Sequence, residues 1–318
     1  FYKRVSDNMI YIGKHSKKFE SEFCNIVLNK VGKIEDVKEF VFECKKFIPK
    51  EIIDVDDTNE FLRQLILLPY CKIEQIYNCI TNDVTKEKYD AIIFSKGKMK
   101  TIFKKYHDCY DKVRDYKYNN KKISIALTED LNLTVCPYCN RDYINGRSGD
   151  KSGCQLDHFF CRSKYPFLAV SLYNLVPSCS VCNNIKRENV GLVSPFDDRF
   201  KFDKEIKFRY IESRNYIRLE RNDESKIKSN IDTLKLEDAY QIHNLEAKKI
   251  LEKKETYVSS NLDEIADCIN KWTNKSGEID RHYLQNLIYG KEMEAEDYKT
   301  CALGKFKHDI LEYYKVYE

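Results

Sequence analysis

Two pairs of cysteines constrain this 318-residue chain more than any other feature: Cys136-Pro-Tyr-Cys139 and Cys179-Ser-Val-Cys182. A two-residue gap lets both thiolates of a tight turn face one tetrahedral ion at about 2.3 Å, and two such turns complete a closed structural zinc site. The rival use of Cys-x-x-Cys is redox, which needs one pair on a thioredoxin-like strand–helix unit. Here two pairs occupy a stretch carrying four of the six prolines, which suits metal better. The 39 residues between the pairs would be held at both ends. The other nine cysteines stand singly, and the total of 13 is odd, which argues for reduced thiols rather than a disulfide framework. Cys24, Cys44 and Cys268 fall among apolar residues at helical spacing, and Cys154 and Cys161 lie inside the clamp without ligand spacing. All five are expected as packing residues.

Around this clamp the chain reads as helix. Phe19, Phe23, Ile26 and Val27 make one stripe, Val37, Phe40, Val41, Cys44, Phe47 and Ile48 another, and a third apolar segment runs from Phe61 to Leu68 and stops at Pro69. From Leu131 to about Phe202 the chain becomes loop-rich. Ile206, Phe208 and Tyr210 then alternate with charged residues as a half-buried strand. Glu212–Asn215 predicts a turn, and Ile217 with Leu219 the return strand. Helical spacing resumes at Leu236, Ala239, Tyr240 and His243. The expected division is a helical, partly basic region over 1–128, a zinc-stapled module over 129–203, and a β-hairpin followed by helices over 204–318.

The net charge of +4 excludes little, but its distribution says more. Residues 1–128 hold 25 Lys+Arg against 19 Asp+Glu, whereas residues 201–318 hold 22 against 24. Between Ser95 and Lys122 there are ten basic and three acidic residues, interleaved with Phe103, Tyr106, Tyr110, Tyr116 and Tyr118. That mixture suits a phosphate backbone with rings available for stacking, and equally a solvated helix face whose rings point to the core. No Gly-rich phosphate loop and no run of about eighteen apolar residues is present. The mixed, charged start is unlike a secretory signal, and the chain is expected in the cytoplasm.

Inside the clamp, Gln155-Leu156-Asp157-His158-Phe159-Phe160 is a short strand-like run delivering an adjacent Asp and His. Asn174 follows, then Asn183 directly after the last cysteine, and Lys186 three positions on, one helical turn away if a helix begins at Cys182. Phosphodiester hydrolysis needs a water relieved of its proton and a cation beside the phosphate. Asp157 and Asn183 are hard oxygen donors suited to magnesium or manganese. His158, with an ordinary pKa near 6.5, can accept the proton. Asn174 is expected to fix the loop and orient the histidine, and Lys186 to meet a phosphate oxygen. Taken singly, each has a bland reading, such as a helix cap for Asn183. The set gains specificity from its enclosure, and His158 is the only histidine of six within the module.

The runs Cys136-Pro-Tyr-Cys139-Asn140-Arg141, Leu156-Asp157-His158-Phe159, Ser163-Lys164-Tyr165-Pro166, Asn174-Leu175-Val176-Pro177-Ser178-Cys179 and Cys182-Asn183-Asn184-Ile185-Lys186 resemble the bacterial HNH (ββα-metal) endonucleases, and most closely those of anti-phage defence systems such as the Septu-type nuclease subunit. The resemblance covers about residues 131–203 strongly and leaves residues 1–125 unplaced. It implies an α+β chain, mainly helical, with a central ββα-metal module stapled by Cys136, Cys139, Cys179 and Cys182. It implies His158 as general base, Asp157 and Asn183 as Mg²⁺ or Mn²⁺ ligands, and Asn174 as the orienting residue, with Asn183 standing where the last histidine of the motif would be, as in HNN variants. Arg162, Lys164 and Arg187 become candidate phosphate contacts. It further implies a defence effector cutting DNA beside a separate ATPase of the AAA or ABC class, since this chain has no Walker motif. RNA as substrate stays open, because the chemistry acts on phosphate and does not read the sugar. So does a zinc-organised binding module without catalysis.

Overall fold

The computed structural model describes residues 11–34, 36–200, 205–221, 227–273 and 278–317. The expected boundary between module and hairpin, at 203 and 204, lies outside the described residues. Helix accounts for 55% of the described residues, and each sheet among them has only two strands, so helices do most of the packing.

The N-terminal helices follow the apolar stripes. Helix α1 (Lys17–Val31) opens on Ser16, whose side chain accepts from the Phe19 amide, and buries Phe19, Phe23, Ile26, Val27 and Val31. The stripe from Val37 becomes α2 (Val37–Cys44), and the segment from Phe61 becomes α3 (Thr58–Ile66), capped by Asp57. Pro69 stands at the N-cap of α4 (Tyr70–Thr81), where a missing amide proton costs no helical bond. Then come α5 (Asp83–Ile93), the tight hairpin β1 (Phe94–Ser95) and β2 (Lys98–Met99), α6 (Thr101–Arg114), a second tight hairpin β3 (Lys117–Tyr118) and β4 (Lys121–Lys122), and α7 (Ile123–Asp130).

The basic, ring-rich stretch spans α6 and both hairpins, and its rings do not form a stacking surface. Phe103, Tyr106 and Tyr110 are buried, with Phe40 stacked on Tyr106 at 4.0 Å. Of the five rings, Tyr116 is exposed. Burial of a ring such as Phe103 or Tyr106 contributes about 1.5–3 kcal/mol to the core.

The central segment forms an antiparallel pair, β5 (Gln155–His158) and β6 (Leu175–Ser178), in register Gln155↔Ser178 through His158↔Leu175, followed at once by α8 (Ser180–Lys186). The connection is buried at 159–160 and over 165–174, and its tip at 161–164 reaches the surface. The N-terminal helices cradle it: Phe47 packs edge-on to Phe167 at 5.0 Å, Tyr77 meets Phe160 at 4.8 Å, and the Ser171 hydroxyl donates to the Leu65 carbonyl. This gives residues 11–130 a structural task that the sequence left open.

Strands β7 (Ile206–Ile211) and β8 (Tyr216–Arg221) pair as the alternation predicts, with Phe208 opposite Leu219 and Tyr210 opposite Ile217. Short helices follow over Lys228–Leu234, Leu236–Tyr240, Asn244–Thr256, Ser259–Thr273, Arg281–Tyr289 and Gly304–Tyr313. Residues from Ile12 to Ile310 join one apolar cluster, so the three sequence regions share a core. A small second cluster of Leu262, Ala266 and Leu284 stands apart. Cys24 and Cys44 are buried as expected. Cys268 is exposed, because it falls on the outer side of a helix whose inner face carries Leu262 and Ala266. No helix among the described residues is long and apolar enough to cross a membrane.

Candidate functional site

The sulfur atoms of Cys136, Cys139, Cys179 and Cys182 lie within 4.8 Å of one another, and all four residues are buried. A tetrahedral zinc–thiolate site has sulfurs about 3.8 Å apart, so the cluster fits such an ion. Hydrogen bonds from neighbouring thiols, Cys136 first, hold Cys139 below the ordinary thiol value, while burial pushes Cys136 above it. Four buried thiols cannot all ionise without a cation between them. Local backbone shape supports each turn. Asn140 takes a left-handed conformation (φ 51°) after the first knuckle and returns its amide to the Cys136 carbonyl at 2.8 Å. Cys179 caps α8, accepting from the Cys182 amide. The cluster also anchors the far end of the chain. Asn140 donates to the Tyr298 carbonyl at 2.9 Å and accepts from the Lys305 amide, and the Tyr240 hydroxyl donates to the Cys139 carbonyl.

His158 ends β5 and is half-buried. Its Nε2 lies 2.9 Å from the Ala169 carbonyl oxygen. A carbonyl can only accept, so Nε2 carries the proton and Nδ1 of the neutral ring keeps its lone pair. The Tyr110 ring stands edge-on to the imidazole at 4.4 Å. Burial lowers the His158 pKa to about 3, with Arg162, His107 and Lys186 adding repulsion. Asn174 lies fully buried behind the same loop. It accepts from the Phe160 amide at 2.8 Å and donates to the carbonyls of Phe160 and Leu168 at 3.0 and 3.1 Å, next to the carbonyl that holds the histidine. Asn174→Ala would strip three buried backbone groups of their partner. A loss of about 3 kcal/mol in unfolding free energy is expected by urea titration.

Asp157 turns inward. It accepts from the Tyr138 hydroxyl at 2.6 Å and pairs with Lys186, whose Nζ lies 3.1 Å from its Oδ2. Both residues are buried, Lys186 completely. Burial raises the Asp157 pKa, against the opposing pull of Lys186 and the Tyr138 bond. Lys186 Nζ also donates to the carbonyls of His158 and Phe159 at 3.2 and 3.0 Å. Its three protons are therefore spent in the interior. This corrects the sequence expectation that Lys186 meets a phosphate, since the α8 face one turn beyond Cys182 points into the hairpin and away from solvent. Asn183 is half-buried, and its Nδ2 donates to Gln155 Oε1 at 2.7 Å. It lines a cleft of about 300 Å³ together with Tyr110, Arg114, Lys122 and Gln155.

The three side chains expected around one divalent ion thus have three separate sets of partners: Tyr138 and Lys186 for Asp157, Ala169 and Tyr110 for His158, and Gln155 for Asn183. Asp157 and Asn183 as placed do not fit an open magnesium or manganese ligand pair, because an ammonium already neutralises the carboxylate. Comparison with protein-family models, curated proteins and solved structures returns no match.

The candidate phosphate contacts divide. Lys164 is exposed and pairs with Glu188 at 2.8 Å, a surface bond worth about 0–1 kcal/mol and easily exchanged. Arg187 is exposed just past α8. Arg162 lies over the Tyr110 ring at 4.7 Å and 3.5 Å from Asp111, beside the histidine. His308, Asp309 and Glu312 also cluster, but Lys207 and Lys305 already place ammonium groups among them, making an ion-pair network. Sequence reasoning did not single out Tyr138 and Gln155 for any role, and it weighed Tyr110 as a stacking or a core ring, not as a neighbour of the histidine. Tyr138 had a signal, its place inside the first Cys-x-x-Cys turn. Tyr110 had none, since α6 reaches His158 through the tertiary fold.

Proposed function

We propose that this chain is an HNH-type nuclease that hydrolyses phosphodiester bonds in DNA, with His158 as the proton acceptor. One observation carries the reading: His158 closes a two-stranded hairpin that runs directly into a helix, and its Nε2–H is fixed on the Ala169 carbonyl, leaving Nδ1 as the ring's free base. In this reading a water loses its proton to Nδ1 as its oxygen bonds to phosphorus, and the P–O bond to the leaving sugar oxygen breaks. Arg162, stacked on Tyr110 beside the histidine, and the exposed Lys164 and Arg187 would hold the backbone phosphates. A magnesium or manganese ion would supply charge stabilisation at the phosphate. Asp157 faces Lys186 and is not placed to hold that ion. A role in anti-phage defence beside an AAA- or ABC-type ATPase belongs to the proposal on resemblance, and co-purification with such a partner tests it.

The occupied Asp157 favours a second reading, a zinc-organised nucleic-acid or partner-binding module without catalysis. One assay separates the two. The zinc-loaded chain is incubated with plasmid and with structured RNA in Mg²⁺ or Mn²⁺, with EDTA controls and with the ATPase partner added. The nuclease reading expects plasmid cleavage that EDTA abolishes and Mg²⁺ restores. Cleavage of RNA alone would change the substrate, and binding without cleavage under every condition would leave only the module.

A further inference from the structure

The two donors that hold Asp157 both begin at the cysteine cluster. Tyr138 sits between Cys136 and Cys139, and its hydroxyl reaches Asp157 Oδ2 at 2.6 Å. Lys186 lies four residues, one helical turn, beyond Cys182, and its Nζ reaches both carboxylate oxygens at 3.1–3.2 Å. The same ammonium binds the carbonyls of His158 and Phe159. Successive carbonyls of an extended strand point to opposite sides, so two of them converging on one atom marks where β5 stops, at His158. The main chain of the histidine is thus held from the zinc side by Lys186, and its ring from the other side by Ala169.

We propose that Tyr138, Asp157 and Lys186 form a clamp through which the cysteine cluster sets the position and tautomer of the His158 ring. They are positioning residues: none needs to touch substrate. Asp157, in this view, is a buried anion whose task is to hold the lysine that holds the histidine backbone. A buried, fully satisfied polar chain of this kind specifies one arrangement, and losing one link leaves the others unpaired. Its catalytic consequence rests on the nuclease reading, but its structural consequence does not.

The test uses the full zinc-loaded chain with ¹⁵N-labelled histidine. The His158 signals are identified by their absence in His158→Gln. Wild type is expected to show His158 as the single Nε2–H tautomer. The double variant Asp157→Asn with Lys186→Met removes the pair without stranding a charge. It is expected to keep about one zinc per chain, to show mixed tautomers at His158, and to lose on the order of 100-fold in kcat with KM little changed, as an ångström-scale misplacement would cause. Tyr138→Phe, which removes one oxygen and no charge, carries the same test if the double variant does not fold, with a smaller shift in the same direction. A zinc-loaded, folded variant that retains the wild-type tautomer signature overturns the clamp, whatever its activity. Mixed tautomers in a chain whose wild type cuts nothing would uphold the clamp and remove the nuclease.

Discussion

Cys179→Ser is expected to release the metal and unfold the segment from Cys136 to Lys186, with a fall of at least about 10 °C in the main thermal transition, equivalent to roughly 3–5 kcal/mol. The reason is linkage between ion and fold. Binding a structural zinc through four thiolates supplies about 10–16 kcal/mol in small peptides, while a folded domain is stable by only about 5–15 kcal/mol in all. The cluster stands at a junction of the fold. Asn140 and the Cys139 carbonyl tie it to residues 298–305 and to Tyr240, so the loss spreads to the C-terminal helices. Metal analysis should find about one zinc per wild-type chain, and circular dichroism should follow the unfolding on chelation. A Cys179→Ser chain with unchanged zinc content and melting curve would show that the quartet is not a metal site.

His158→Ala is expected to lower kcat by about 10²–10⁴-fold with nucleic-acid binding retained, the usual loss when a positioned proton acceptor is removed. Equal cleavage by both proteins would take the histidine out of the mechanism. The pH dependence adds a sign. With the folded pKa near 3, the free base stays available well below pH 6.5, so the acid limb of kcat/KM should lie far below that of an ordinary histidine. Stability should move with it. Between pH 6.5 and about 3 the unfolded chain binds a proton at this position and the folded chain does not. Unfolding free energy therefore falls as pH falls through that window, by at most about 1.4 kcal/mol per pH unit. The ring's partial exposure to water makes this an upper limit. The slope should flatten in His158→Gln, and an unchanged slope would place its origin at other groups.

Helix positions were legible because burial on one face leaves a 3.6-residue period in the chain itself: the stripes of α1, α2 and α3 appear where Phe19, Val37 and Phe61 begin them. The β7–β8 pair was legible for the same kind of reason, its two-residue alternation and the turn at Glu212–Asn215. The cysteine cluster could be read from spacing, since a two-residue gap is a local geometric requirement of a shared ion.

Other features could not be read in this way, because they depend on partners distant in sequence. Nothing local distinguishes a lysine that will meet a phosphate from one that will be buried on Asp157, 29 positions earlier. The rings of α6 carry the same composition whether they stack on bases or pack on Phe40. Sequence by itself determined the helical stripes of α1, α2 and α3, the β7–β8 alternation and where the cysteines would gather, through periods and spacings of a few residues. The tertiary structure alone decided which charges are spent inside, that Ala169 fixes the tautomer of His158, and that α6 stands over that ring, because desolvation and hydrogen-bond satisfaction are settled only when distant segments meet.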